Sequence, residues 1–241
     1  MIAIGSFFFK YRNFIFLFFY LALFIPSWPL FRENNAGTAY YRWPIIIGLF
    51  ITFSGQLTRA VSIGLAYIIR GGKDGKVYAE QLVTEGMFNH CRNPLYVGNI
   101  LMLVGVGILS NSLFYVAVML PVFMFIYQAI VLAEENFLRN KFGAQYNEYC
   151  RVVNRWLINP AGLTKTFAET TFNWRRYILK EYNTIYIWLS GITLVLLFTY
   201  PQLTHYDTAL RNKLLAILLP LLLLFYLAVR YLKKSGKLTE E

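Results

Sequence analysis

The chain has 241 residues, of which 57% are hydrophobic, 18% aromatic and 15% charged, and its net charge is +11. A soluble domain carries about 25% charged residues, so this composition excludes disorder, collagen, a coiled coil and a disulfide scaffold. It points to an all-α, polytopic integral membrane protein.

Two cysteines and two histidines, with no CxxC pair, give no basis for a Cys/His metal site, and no metal is expected. The basic residues are not interleaved with aromatics on a polar background, so no nucleic acid is expected either. In a membrane chain, positive charge reports orientation and contact with anionic headgroups.

A spanning helix takes about 20 apolar residues. Six segments qualify or nearly so: 14–31, 44–69, 95–109, 113–133, 184–201 and 213–232. The N-terminal stretch is expected to stay as a helix. Lys10 and Arg12 follow a Phe run, and no small-residue cleavage site follows Ile25. Segments 95–109 and 113–133 are joined only by Ser110, Asn111 and Ser112, which predicts a tight helical hairpin. Trp28, Tyr40, Tyr41, Trp43 and Trp188 are expected at the membrane interface.

With six crossings, 18 of the 23 Lys and Arg fall on one side, while Arg32, Arg42, Arg211 and Lys213 face the other. That bias places both termini, and the polar stretches 70–94 and 134–183, in the cytoplasm. Three regions follow: residues 1–43 as a first helix and connection, 44–160 as a core with the hairpin, and 161–241 as a final helix pair. Region 161–241 carries no assignable motif.

Two polar stretches carry chemistry. In the first, His90, Arg92 and Asn93 precede Pro94, which disfavours helix at Asn93 and suits the first turn of the next helix. A helix start of this kind receives a carboxylate or phosphate, or simply anchors the chain at the headgroups. In the second, Glu135, Leu138, Phe142, Tyr146, Tyr149 and Val153 form one helical stripe, with Arg139, Gln145 and Glu148 away from it. This predicts an amphipathic helix on the cytoplasmic face, which Gly143 bends or breaks. Glu134 and Glu135 sit at the end of a long apolar span, where a carboxylate can hold an ammonium or ribose hydroxyls. Arg59 lies within a span, where a charge is costly; it is either functional or snorkels to the interface.

These motifs resemble the isoprenylcysteine carboxyl methyltransferase and phospholipid methyltransferase superfamily. The chain reads Arg92-Asn93-Pro94-Leu95-Tyr96-Val97-Gly98, then Glu134-Glu135, Leu138, Phe142-Gly143, Tyr146 and Tyr149, and then Val153-x-Arg155. Thr84 to Phe88 is similar to the lead-in, and Gly55-x-x-x-Arg59 to a motif of the preceding helix. The resemblance covers residues 44–160. Asn93 stands where the prenylcysteine enzymes have His, as in the phospholipid branch. Met87, Asn154 and Ile158 replace prolines.

The resemblance implies methyl transfer from S-adenosylmethionine to a membrane lipid or prenylated acceptor within the bilayer. It implies cofactor binding by His90, Arg92, Asn93, Pro94, Tyr96, Gly98, Glu135, Leu138, Tyr146 and Tyr149. Tyr faces stabilise a sulfonium, Glu135 is expected to hold the cofactor's ammonium or ribose, and Arg92 its carboxylate.

The expected catalytic residues are Arg155, Arg59 and Glu134. A carboxylate or phosphate acceptor needs an Arg to orient it; an amine, as in N-methylation of phosphatidylethanolamine, needs a base such as Glu134 or His90. The scarcity of bases favours O-methylation. A membrane reductase and a non-catalytic scaffold on the same core are the alternatives.

Overall fold

The computed structural model describes residues 1–67 and 77–240. The helices in chain order are α1 (Ile2–Ala22), α2 (Glu33–Ala36), α3 (Arg42–Leu65), α4 (Pro94–Leu109), α5 (Leu120–Val152), α6 (Leu163–Glu169), α7 (Trp174–Thr199) and α8 (Thr208–Lys234). A π-helical turn, Tyr115–Met119, leads into α5. Among the described residues there is no strand, only an isolated bridge between Pro29 and Ser112.

The membrane reading holds, but the count of six spans does not. Among the described residues four helices are long and apolar enough to cross: α3, the run Tyr115–Val152, α7 and α8. The halves of α1, Ile2–Arg12 and Phe14–Ala22, are bent by 77° and make a fifth if taken as one span. The predicted third span is α4, whose 16 residues reach about 24 Å at 1.5 Å per residue, short of a hydrocarbon core of about 30 Å.

Boundaries move for local reasons. The predicted first span, 14–31, is cut short because Pro26 and Pro29 disfavour helix in the residues before them. α1 therefore takes up the Phe-rich start of the chain, and the segment after Ala22 folds onto the hairpin turn. There Leu30 N–H donates to Asn111 O at 3.1 Å and Leu113 N–H to Trp28 O at 2.8 Å. The predicted end of the second span at Ile69 lies outside the described residues. α7 begins ten residues before the predicted 184 because its polar first turns lie against protein, with Leu179 and Glu181 buried. Trp188 is consequently mid-helix and buried, while Trp28 and Trp43 are exposed.

In lipid the hydrophobic effect does not drive helices together, so small residues and polar ties do that work. Gly48 and Gly55 of α3 meet Gly98 and Gly105 of α4. A Cβ on Gly55 would sit 2.6 Å from Gly98 O, and one on Gly48 2.7 Å from Leu109 N. Thr52 Oγ1 donates to Met102 O at 3.0 Å and accepts from Trp188 Nε1 at 2.7 Å, which ties α3 to both α4 and α7. α1 packs on α5 through aromatic edges, with Phe19 and Phe123 centroids 5.1 Å apart.

Candidate active site

The first motif is held by backbone pairing to the chain that follows α5. Arg92 N–H donates to Asn154 O at 2.8 Å, and Asn159 N–H to His90 O at 2.9 Å. Asn93 Nδ2 donates to Arg155 O at 3.2 Å. Pro94 opens α4, as its ring geometry predicts.

The second motif continues from α5 and breaks at Gly143, whose φ of 52° and ψ of −119° are open to glycine and strained for other residues. Glu135, Tyr146 and Val153 of the predicted stripe are buried, Leu138, Phe142 and Tyr149 are half-buried, and Arg139, Gln145 and Glu148 are exposed. The stripe faces protein: Tyr149 OH donates to Phe88 O at 2.6 Å.

Between these segments and α1, α3, α4 and α7 lies a cavity of about 1200 Å³. Its wall includes Arg59, Arg92, Asn93, Tyr96, Glu134, Glu135, Leu138, Tyr146 and Tyr149. Four predicted site residues do not line it. His90 is clipped between Asn159 O (2.9 Å from Nδ1) and Thr166 Oγ1 (2.8 Å from Nε2), which fastens α6. Pro94 is buried as a helix start. Gly98 faces α3, where a Cβ would lie 2.5 Å from Arg59 Cγ and 2.8 Å from Gly55 O. Gly55, Arg59 and Gly98 are thus one packing unit.

Arg155 stands behind the wall. It donates from Nε to Glu135 Oε1 at 2.9 Å and from Nη2 to Oε2 at 2.7 Å. These bonds raise its pKa above the ordinary arginine value. Arg92 Nη2 is 3.6 Å from the same carboxylate. The fork expected to orient an acceptor is therefore committed to Glu135. Burial raises the pKa of the neighbouring Cys91 thiol and keeps it protonated and inert.

Arg59 is likewise committed rather than snorkelling. It donates from Nε to Glu181 Oε2 at 2.9 Å and from Nη2 to Oε1 at 2.6 Å. Its Nη1 donates to Asn99 Oδ1, and Asn99 Nδ2 donates to Tyr127 OH at 2.7 Å. Glu181 has no sequence motif; the available signal was a lone acid three residues before the predicted start of an apolar span. Glu134 accepts from Tyr96 OH at 2.7 Å, and Arg12 of α1 lines the same cavity.

The wall suits a zwitterionic, cationic cofactor. Arg92 Nε is buried without a hydrogen-bond partner, a donor that a carboxylate would satisfy. Glu135 offers negative charge beside it, and Tyr96, Tyr146 and Tyr149 offer aromatic surface for a sulfonium.

Residues 43–145 match the family model of phospholipid methyltransferase. Over these residues the chain is similar to that family. The match covers the first motif, Glu134, Glu135 and Leu138 and stops before Tyr146. The chain is 40% identical over 70 residues to the cobalt-zinc-cadmium resistance protein CzcN of Cupriavidus metallidurans, covering 29% of this chain and 32% of that protein. It is 34% identical over 71 residues to the nickel-cobalt-cadmium resistance protein NccN of Alcaligenes xylosoxydans xylosoxydans, covering 30% and 33%. The chain thus spans about a third of the length of these curated relatives. No solved structure matches it. The family implies a membrane methyltransferase. Among the described residues no group of three or more His, Cys, Asp or Glu is placed to hold a metal.

Proposed function

We propose that this chain transfers a methyl group from S-adenosylmethionine to a membrane-embedded amphiphile. The carrying observation is the convergence of nine motif residues on one cavity in which Arg92 Nε lacks a partner. When bound, the cofactor supplies an electrophilic methyl on a sulfonium. Arg92 receives its carboxylate and Glu135 its ammonium or ribose, while Arg155 holds Glu135 in place. Tyr96, Tyr146 and Tyr149 exclude water and present aromatic faces.

The acceptor is better read as an amine than as an acid. Both guanidinium forks expected to orient an anion are committed, Arg59 to Glu181 and Arg155 to Glu135. Glu134, on the cavity wall with Tyr96 as hydrogen-bond donor, supplies what N-methylation needs: a carboxylate that takes a proton from the attacking nitrogen. Methyl transfer to a carboxylate or phosphate oxygen is the second reading, and it needs no base.

In this reading the cavity and both termini lie on the cytoplasmic side. The purified chain is incubated with methyl-labelled S-adenosylmethionine and total membrane lipid, and the products are separated by chromatography. Labelled lipid with a basic headgroup is the expected result. A chain that retains no labelled cofactor is a scaffold or a reductase, and the reading fails.

A further inference from the structure

The tail after α8 turns back across the bundle and sets a carboxylate in a basic cleft. Glu240 lies 3.0 Å from Lys180 Nζ, and its backbone carbonyl accepts from Asn173 Nδ2 at 2.6 Å. Its second oxygen, Oε2, is buried without a hydrogen-bond partner. The same cleft, about 530 Å³ in volume, is lined by Arg176, whose Nε is also buried without a partner. Arg176 and Lys180 both lie over the Tyr67 ring, at 5.8 and 5.1 Å. Lys233 of α8 lies over Tyr182 at 5.6 Å. Tyr67 and Glu240 line both this cleft and the large cavity, and Lys180 and Lys233 line the latter.

A buried donor and a buried acceptor left unmatched in one cleft are each costly. The carboxylate satisfies Lys180 and leaves the Arg176 edge bare. A tetrahedral phosphate has enough acceptor oxygens to serve Arg176, Lys180 and Lys233 together. We infer that Arg176, Lys180 and Lys233 form an anion site for the phosphate of an amphiphile entering the cavity, and that Glu240 is an intramolecular occupant which the ligand displaces. The tail then acts as a competitor that sets the affinity for headgroups. The apolar wall running on from the cleft, with Phe16, Leu17 and Ile187, takes the acyl chains. This inference deepens the proposed function by naming the headgroup class. Its test needs no methyl donor, so it can fail while methyl transfer stands.

The full chain in detergent is titrated calorimetrically with dihexanoyl phosphatidic acid, with inorganic phosphate, and with dihexanoylglycerol as a neutral control. Glu240→Gln is expected to tighten phosphatidic acid binding about three- to tenfold, the range for losing one part-buried charged contact. Adding Arg176→Gln or Lys180→Gln to that variant is expected to remove the gain, with the neutral lipid unaffected throughout. Unfolding temperature is recorded for each variant, and Lys233→Gln replaces any that does not fold. Unchanged affinity in Glu240→Gln, or a gain that survives both cation substitutions, overturns the site. Inorganic phosphate binding as tightly as the lipid overturns the amphiphile and leaves a site for free phosphate.

Discussion

Arg59 of α3 and Glu181 of α7 meet in a two-pronged ion pair, with N–O distances of 2.9 and 2.6 Å and side-chain exposures of 3% and 0%. The pair locks the C-terminal helices to the region that matches the methyltransferase family. Removing one partner from a buried pair costs about 3–5 kcal/mol, because the other charge stays buried and alone. Arg59→Met and Glu181→Leu are each expected to lower the thermal unfolding temperature in detergent strongly. The double variant is expected to recover most of the loss. Two single losses that simply add in the double variant would show no coupling.

Gly98 sits where α4 crosses α3 at backbone distance. A methyl there meets Arg59 Cγ at 2.5 Å and the Gly55 carbonyl at 2.8 Å. Gly98→Ala is expected to destabilise by about 1–3 kcal/mol, as overpacking does, and to reduce methyl transfer because it displaces Arg59. Denaturation and turnover are measured together. Lost turnover at native stability would return Gly98 to a direct cofactor contact.

Glu135 is buried between Arg155 and Arg92. Glu135→Gln keeps the shape and removes the charge, so S-adenosylmethionine affinity is expected to fall by about 1.5–3 kcal/mol, the range for a charge-assisted hydrogen bond. Arg155→Lys is expected to act in the same direction, through Glu135, and equally for every acceptor. Equilibrium binding of labelled cofactor reads both. A turnover loss in Arg155→Lys with native cofactor affinity would mean that Arg155 holds the acceptor after all.

Glu134 and Tyr96 form the other polar pair on the wall. If Glu134 is the base, Glu134→Gln is expected to lower turnover by about 100- to 10,000-fold, the usual weight of proton transfer, with cofactor affinity intact. Tyr96→Phe is expected to have a smaller effect. Turnover across pH 6–9 decides the acceptor, because a carboxylate or phosphate needs no base in this range. A native Glu134→Gln rate with a flat profile would favour O-methylation.

From the basic bias we expect both termini in the cytoplasm, which requires an even number of crossings. Single cysteines introduced at Asn35 and Tyr206, both on exposed connections, are expected to label from outside with an impermeant maleimide. Labelling only after membrane disruption would invert or remove crossings from the topology.

The sequence determined by itself that the chain is helical and membrane-embedded, because apolar runs of sufficient length have few other solutions. Its motif order identified the methyltransferase region, and the 3.6-residue stripe from Glu135 to Val153 named the face that turns inward. Proline and glycine placement at Pro94 and Gly143 was legible too, since their backbone limits are local. Hydropathy could not see what depends on contact between distant segments. It counted α4 as a span by composition, and it started α7 late because its first turns are polar yet packed against protein. It assigned Arg59 and Arg155 to an acceptor, where the tertiary structure pairs them with Glu181 and Glu135, 122 and 20 residues away in sequence. It gave Gly98 to the cofactor, where only the crossing of two helices reveals that its missing side chain makes room for Arg59. Which charges are already answered inside the protein, and which are left to meet a ligand, is set by the three-dimensional pairing of those charges.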